Sequence, residues 1–205
     1  MLYSLLTSFI DQFSFLNVFR YLTFRTGLSL ISSLIIVFII GGPFIKYFSQ
    51  KKITGPIRKD GPNDHIIKKT GTPTMGGVVI LIGMLTSTLL WADLSNIYIW
   101  FLIFIAGSFG ILGAIDDFLK IKNRKPSGLS IKIKFISQIF LAFIAIFFLN
   151  KFGDHSHLKN LYFPFLKNLI LNLGIFFVPF YIFVIIASSN AVNLTDGLDG
   201  LATVP

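Results

Sequence analysis

The chain alternates between long apolar runs and short polar connections. Five runs reach the roughly 20 mostly apolar residues that cross about 30 Å of hydrocarbon. They are residues 28–48, 74–92, 97–115, 130–149 and 169–188. Each predicts a transmembrane helix, so the expected fold class is all-α and polytopic, with residues 1–205 as a single transmembrane domain. Lys132 and Lys134 open the fourth run, where their stems can lie along the helix while the ammonium heads reach water. Gly41-Gly42-Pro43 predicts a kink in the first span and Pro179 a kink in the fifth. Met1–Phe19 is apolar and aromatic but broken by Asp11, Gln12 and Asn17, which predicts an interfacial helix rather than a sixth span. It has neither the basic start nor the small-residue cleavage site of a signal peptide. The sequence shows no internal repeat.

The lysines and arginines orient the spans. Two precede the first span, seven belong to the connection between spans one and two when Lys46 at the end of span one is counted, none to the next, six to the connection between three and four when Lys132 and Lys134 at the start of span four are counted, and three lie between four and five. The two rich connections are predicted to be cytoplasmic, which places the N-terminus outside and residues 189–205 inside with loops 49–73 and 116–129. Composition agrees. Hydrophobic residues make up 54% and charged residues 13%, far below the charge of a soluble domain. The net charge of +9 comes from 14 Lys and 4 Arg against nine Asp and no Glu. Topology accounts for most of it, so it gives no reason to expect nucleic acid as a partner. With no Cys, a disulfide-stapled fold is excluded.

Three polar clusters fall on the predicted cytoplasmic face. The first is the run from Ile57 to Gly77, with Lys68, Lys69, Thr70, Gly71, Thr72, Pro73 and Thr74 at its centre. Glycines and threonines let backbone N–H groups and hydroxyls approach a ligand closely, and lysines suit phosphate as point charges. A solvated basic loop would look much the same. The second is Asp116-Asp117 with Lys120, at the end of the third span. A carboxylate near hydrocarbon is costly and therefore a functional candidate, and hard oxygens at a membrane edge suit Mg²⁺. Helical neighbours point about 100° apart, so the two carboxylates need not share a role. The plain alternative is an ion-paired helix end. The third is the row Asn190, Asn193, Asp196 and Asp199, three residues apart, which shares one face if helical and is a polar turn if its glycines break the helix. Carboxylates, amides, hydroxyls and lysines on one face equip a site for Mg²⁺-assisted chemistry on phosphates. His155 and His157 are too few for a metal site, and Trp91 and Trp100 read as interface anchors.

The runs Lys69–Gly77, Asp116-Asp117 with Lys120, Gly128-Leu129 with Lys134, and Asn190–Ala202 resemble the phospho-N-acetylmuramoyl-pentapeptide-transferase family, in order and spacing across essentially the whole chain. The paired Asp is shared with the wider superfamily that moves N-acetylhexosamine 1-phosphate from a UDP-sugar to a polyprenyl phosphate. The Gly-Thr-Pro-Thr-Met-Gly-Gly and Asn-Leu-Thr-Asp-Gly-Leu-Asp-Gly-Leu-Ala runs are more specific to the muramoyl-pentapeptide branch. The resemblance implies UDP-N-acetylmuramoyl-pentapeptide as donor, undecaprenyl phosphate as lipid acceptor, UMP and lipid I as products, Mg²⁺ as cofactor, and a ten-helix homodimer in the bacterial inner membrane. It implies that Asp116 and Asp117 stand near metal and acceptor phosphate, with either one as base. It further implies that Lys68 or Lys69, Thr72, Lys120 and Lys134 serve the phosphates, and that Asn190, Asn193, Asp196 and Asp199 line the nucleotide side.

One residue is inserted between His65 and Gly71 relative to the family pattern, and spacing to the glycine favours Lys69 over Lys68. The resemblance also implies further spans, a metal-ligating Asp and a His-rich loop beyond Pro205, so the chain reads as the front half of such an enzyme. A UDP-N-acetylglucosamine-1-phosphate transferase keeps the chemistry with another sugar. An ion-coupled transporter would place polar groups at mid-depth and show repeats, whereas these spans are clean there.

Overall fold

The computed structural model describes residues 1–51, 53, 74–124, 127–154, 158–166 and 169–195. The chain divides into two compact units, Met1–Lys134 and Phe135–Pro205.

In the first unit, α1 (Leu2–Ser8) is followed by a 3-10 turn at Ser14–Arg20. The single interfacial helix expected for Met1–Phe19 is therefore two short pieces, parted around Asp11 and Gln12. Helix α2 (Leu22–Gln50) runs through Gly41-Gly42-Pro43 without ending there. Helix α3 (Gly76–Trp91) lies against it. Val79, Gly83 and Ser87, four apart, form the buried stripe of α3. Their small size allows close approach, because a Cβ on Gly83 would meet Val37 Cγ2 at 2.7 Å and the Ser33 carbonyl oxygen at 3.2 Å. The Trp91 indole donates to Ser32 Oγ at 2.9 Å and its ring stacks on Phe19.

Helix α4 (Ile97–Asn123) begins at Asn96, whose side chain accepts from the Tyr98 N–H at 2.9 Å, and ends at Arg124 in the left-handed region, φ 51°. The apolar run stops at Ile115, but the helix continues eight residues further, so Asp116 and Asp117 are helical rather than part of a loop. Pairing of Lys120 with both carboxylates, and lysines at the negative end of the helix dipole, favour that extension. Between α3 and α4, Asp93 accepts from the Ser95 hydroxyl at 2.7 Å and its N–H at 3.1 Å.

Helix α5 (Ile131–Phe152) opens at Ser130, whose Oγ accepts from the Ile133 N–H at 3.3 Å. In the second unit, strands β1 (Asn160–Tyr162) and β2 (Ile170–Asn172) pair antiparallel, with Leu161 opposite Leu171. A 3-10 turn at Gly174–Phe176 leads into α6 (Phe177–Thr195). The fifth apolar run thus starts as strand rather than helix. A short apolar run is ambiguous between the two, and the Asn172 side chain accepting from the Gly174 N–H at 2.8 Å, with Gly174 at φ 54°, delays the helix. Pro179 sits in the first turn of α6, where a missing N–H is tolerated. Residues 189–195, expected as loop, extend that helix.

Among the described residues, four helical segments are long and apolar enough to cross a membrane: Leu22–Gln50, Ile97–Asn123, Ile131–Phe152 and Gly174–Asn193. Helix α3 is apolar but shorter, at 16 residues. Outward-facing Leu30, Phe38 and Ile39 on α2 suit hydrocarbon contact.

Candidate functional site

Asp116 and Asp117 lie near the C-terminal end of α4, about 30 Å along the helix from its N-cap, one hydrocarbon thickness. Their environments differ. Asp116 is 7% exposed and both of its carboxylate oxygens are engaged. Oδ1 accepts the Leu129 N–H at 2.7 Å. Oδ2 pairs with Lys120 Nζ at 2.8 Å and faces Lys134 Nζ at 3.9 Å. Asp117 is half-exposed, and its Oδ1 pairs with the same Lys120 at 2.9 Å. A buried carboxylate is tolerated only when its charge is met. Here two lysines and a peptide N–H meet it.

The turn after α4 makes this arrangement possible. Gly128 packs directly on Asp116: a Cβ there would stand 2.6 Å from the Asp116 carbonyl oxygen and 2.8 Å from its Cγ. Gly128 is required for space, since its φ is not left-handed. The next residue, Leu129, delivers its N–H to the carboxylate, and Ser130 then starts α5, whose first turn carries Lys134. One turn later on α5 comes Gln138, 4% exposed.

Within the second unit, Gln138 meets Asn190 of α6. Asn190 Nδ2 donates to Gln138 Oε1 at 3.0 Å and to the Ile186 carbonyl at 3.0 Å, and Gln138 Nε2 reaches Asn190 Oδ1 at 3.5 Å. Asn193 is exposed. The expected row of amides therefore splits into one engaged and one free to solvent. Sequence reasoning missed Gln138. Its signal was an uncharged amide in the interior of an apolar helix, four residues after Lys134.

The structure brings Asp116, Asp117, Lys120 and Lys134 together. It joins Asn190 to Gln138. Lys68, Lys69, Thr72, Asp196 and Asp199 lie outside the described residues. Among the described residues no three His, Cys, Asp or Glu side chains converge on one point. Of the two, Asp117 fits Mg²⁺ as a partial set, because only one of its oxygens is engaged and that ion is commonly held by one or two carboxylates with water and substrate phosphates completing the shell, whereas both Asp116 oxygens are already engaged.

Comparison with known proteins bears on both regions. The profile of glycosyl transferase family 4 matches residues 97–205, from the start of α4 through α6 to Pro205. A second profile, phospho-N-acetylmuramoyl-pentapeptide-transferase signature 1, matches residues 69–81. A relative from Pelagibacter ubique (strain HTCC1062), named phospho-N-acetylmuramoyl-pentapeptide-transferase, is 64% identical over all 205 residues. The chain spans 57% of that relative's length.

Proposed function

Since the chain belongs to glycosyl transferase family 4, we propose that it is the N-terminal part of an enzyme that transfers phospho-N-acetylmuramoyl-pentapeptide from its UDP-activated form to undecaprenyl phosphate, releasing UMP and forming lipid I. The observation that carries the proposal is the Asp116 clamp. A buried carboxylate is held between Lys120, Lys134 and the Leu129 N–H, beside a half-exposed second carboxylate. The matched signature over residues 69–81 and the 64% identity to a relative of that name support the choice of substrate.

The reaction makes a bond from an acceptor phosphate oxygen to the phosphorus that bears the sugar. It breaks that phosphorus's bond to the bridging oxygen, which leaves with UMP. Such chemistry depends on positioning and on neutralising phosphate charge. Lys120 and Lys134 supply cations next to the reacting phosphates, with Lys69 or Lys68 and Thr72 binding from the preceding loop. Asp117, with one oxygen engaged, is open to Mg²⁺ and to a phosphate proton. Asp116 acts chiefly by holding the lysines, and in this reading the base is Asp117. Asp117 would help hold Mg²⁺, which would supply positive charge for the leaving group. Asn190, Asn193, Asp196 and Asp199 line the nucleotide side. The lysine-rich connections support a cytoplasmic position for this face, and in this reading the enzyme is a bacterial inner-membrane protein acting as a homodimer.

The test uses the complete enzyme in lipid vesicles with UDP-N-acetylmuramoyl-pentapeptide and undecaprenyl phosphate, following UMP. Release is expected with Mg²⁺, to be lost on chelation, and to fall at least a hundredfold in Asp117→Asn. Full Mg²⁺-dependent release by Asp116→Asn, Asp117→Asn and Asp196→Asn would refute the site assignment. Faster turnover of UDP-N-acetylglucosamine would refute the choice of sugar.

A further inference from the structure

Gln138 is nearly fully buried, on a helix whose other buried residues are Ala142, Ala145 and Ile146. A buried amide is costly unless its hydrogen bonds are met. Its partner is Asn190, and the pair has a definite polarity. The Ile186 carbonyl can only accept, so the Asn190 atom 3.0 Å from it is the nitrogen. That nitrogen's second hydrogen goes to Gln138, so the Gln138 atom 3.0 Å away is the oxygen. Both N–H bonds of Asn190 are then spent within the protein. Its Oδ1 receives one donor, Gln138 Nε2, at 3.5 Å, the outer limit of a hydrogen bond.

We infer that Gln138 is a positioning residue that locks the Asn190 amide with its oxygen as the presented atom, so that Asn190 accepts a hydrogen bond from an N–H or O–H of the nucleotide–sugar substrate. The inference rests on the transferase reading for the identity of that substrate. Two features support it. Asn190 stands at the start of the polar row on α6, and Gln138 follows Lys134 by one turn on α5. Without Gln138 the Asn190 side chain keeps only its bond to Ile186, and the amide can turn about its χ angles. A donor on the substrate then meets a group that is no longer pre-oriented, and binding weakens without a change in the reacting atoms.

The experiment compares Gln138→Met, which keeps shape and loses both hydrogen bonds, with Gln138→Glu, which keeps an oxygen facing the Asn190 N–H. Both are made in the complete enzyme. Gln138→Met is expected to raise KM for the UDP-sugar about three- to tenfold, the worth of one hydrogen bond. Its kcat is expected to stay within about twofold. Gln138→Glu is expected to keep KM near that of the unaltered enzyme. An unchanged KM in Gln138→Met, or equal loss in both variants, overturns the inference. A thermal double-mutant cycle with Asn190→Leu tests the pair without substrate. The double variant should melt no lower than the worse single variant, and additive losses also overturn the inference. If the unaltered enzyme releases no UMP, it is the transferase reading that fails, and the thermal cycle alone decides whether Gln138 holds Asn190.

Discussion

Gly128→Ala isolates the contact on which the carboxylate cluster depends. The added Cβ would stand 2.6 Å from the Asp116 carbonyl oxygen and 2.8 Å from its Cγ. Ordinary van der Waals separation is about 3.5 Å, so the turn must retreat by roughly 1 Å. The Leu129 N–H now lies 2.7 Å from Asp116 Oδ1, and such a retreat stretches it beyond hydrogen-bonding range. A hydrogen bond to a charged group contributes about 1.5–3 kcal/mol. If that loss falls on the oriented carboxylate and its lysines during phosphoryl transfer, the rate drops about 10- to 150-fold.

The assay is Mg²⁺-dependent UMP release by the complete enzyme, with Gly113→Ala as control. Gly113 lies on α4, the helix that carries Asp116, and has open space where its Cβ would go, so that variant should match the unaltered enzyme. Gly128→Ala should also melt at a lower temperature, because the buried Asp116 carboxylate loses a hydrogen-bond partner in the folded state. Activity of Gly128→Ala within twofold of the unaltered enzyme would refute the argument that this turn positions Asp116.

Lys120→Met removes the cation shared by both carboxylates, at 2.8 and 2.9 Å. UMP release should fall more than a hundredfold, and unchanged release would show that the cation plays no part. Ser32→Ala takes away the acceptor for the Trp91 indole, and Trp91→Phe takes away the donor while keeping an aromatic ring beside Phe19. Each should lower stability by about 1 kcal/mol, read as a reduced melting temperature, and an unchanged melt in both would show that the bond contributes nothing. The Ser95 hydroxyl, then the Ser95 N–H, hold the Asp93 carboxyl below the usual carboxylate range. Its folded value is depressed, so its contribution is present above the unfolded value of about 3.9 and is lost as pH falls through the folded value. Asp93→Asn should therefore flatten the acid side of the melting-temperature profile below about pH 4, and an identical profile would contradict it.

The apolar pattern carried most of the architecture. Each of the five runs contains a helix, because a hydrocarbon-length run has few other ways to satisfy its backbone. Element ends were less legible, since hydropathy records where lipid stops and not where hydrogen bonding stops. Helix α4 outlasts its apolar run by eight residues because Lys120 pairs backwards to Asp116 and Asp117. At the other extreme, Ile170 and Leu171 belong to an apolar run yet form a strand, because a partner at Asn160–Tyr162 and a turn at Asn172–Gly174 decide it. In the site, ion pairing between Asp116 and Lys120 was legible from their spacing along a helix. The contributions of Leu129 and Gln138 were not. One is a backbone N–H, which no residue type announces, and the other depends on two helices that sequence alone does not bring together.

The paired carboxylates show what structure adds to a motif. Adjacent positions on a helix point about 100° apart, so they enter different surroundings. Asp116 turns inward, where Leu129, Lys120 and Lys134 occupy both of its oxygens. Asp117 turns towards solvent with one oxygen engaged by Lys120. Burying the first carboxylate is unfavourable in itself, and removing a partner from a buried pair generally costs more than the pair contributes. Asp116 and its lysines therefore keep one geometry, and Lys120 is held where it also reaches Asp117. The rigid member of the pair sets the position of a cation. The open member is left to exchange partners, which is what a group must do if phosphate and metal are to come and go within one catalytic cycle.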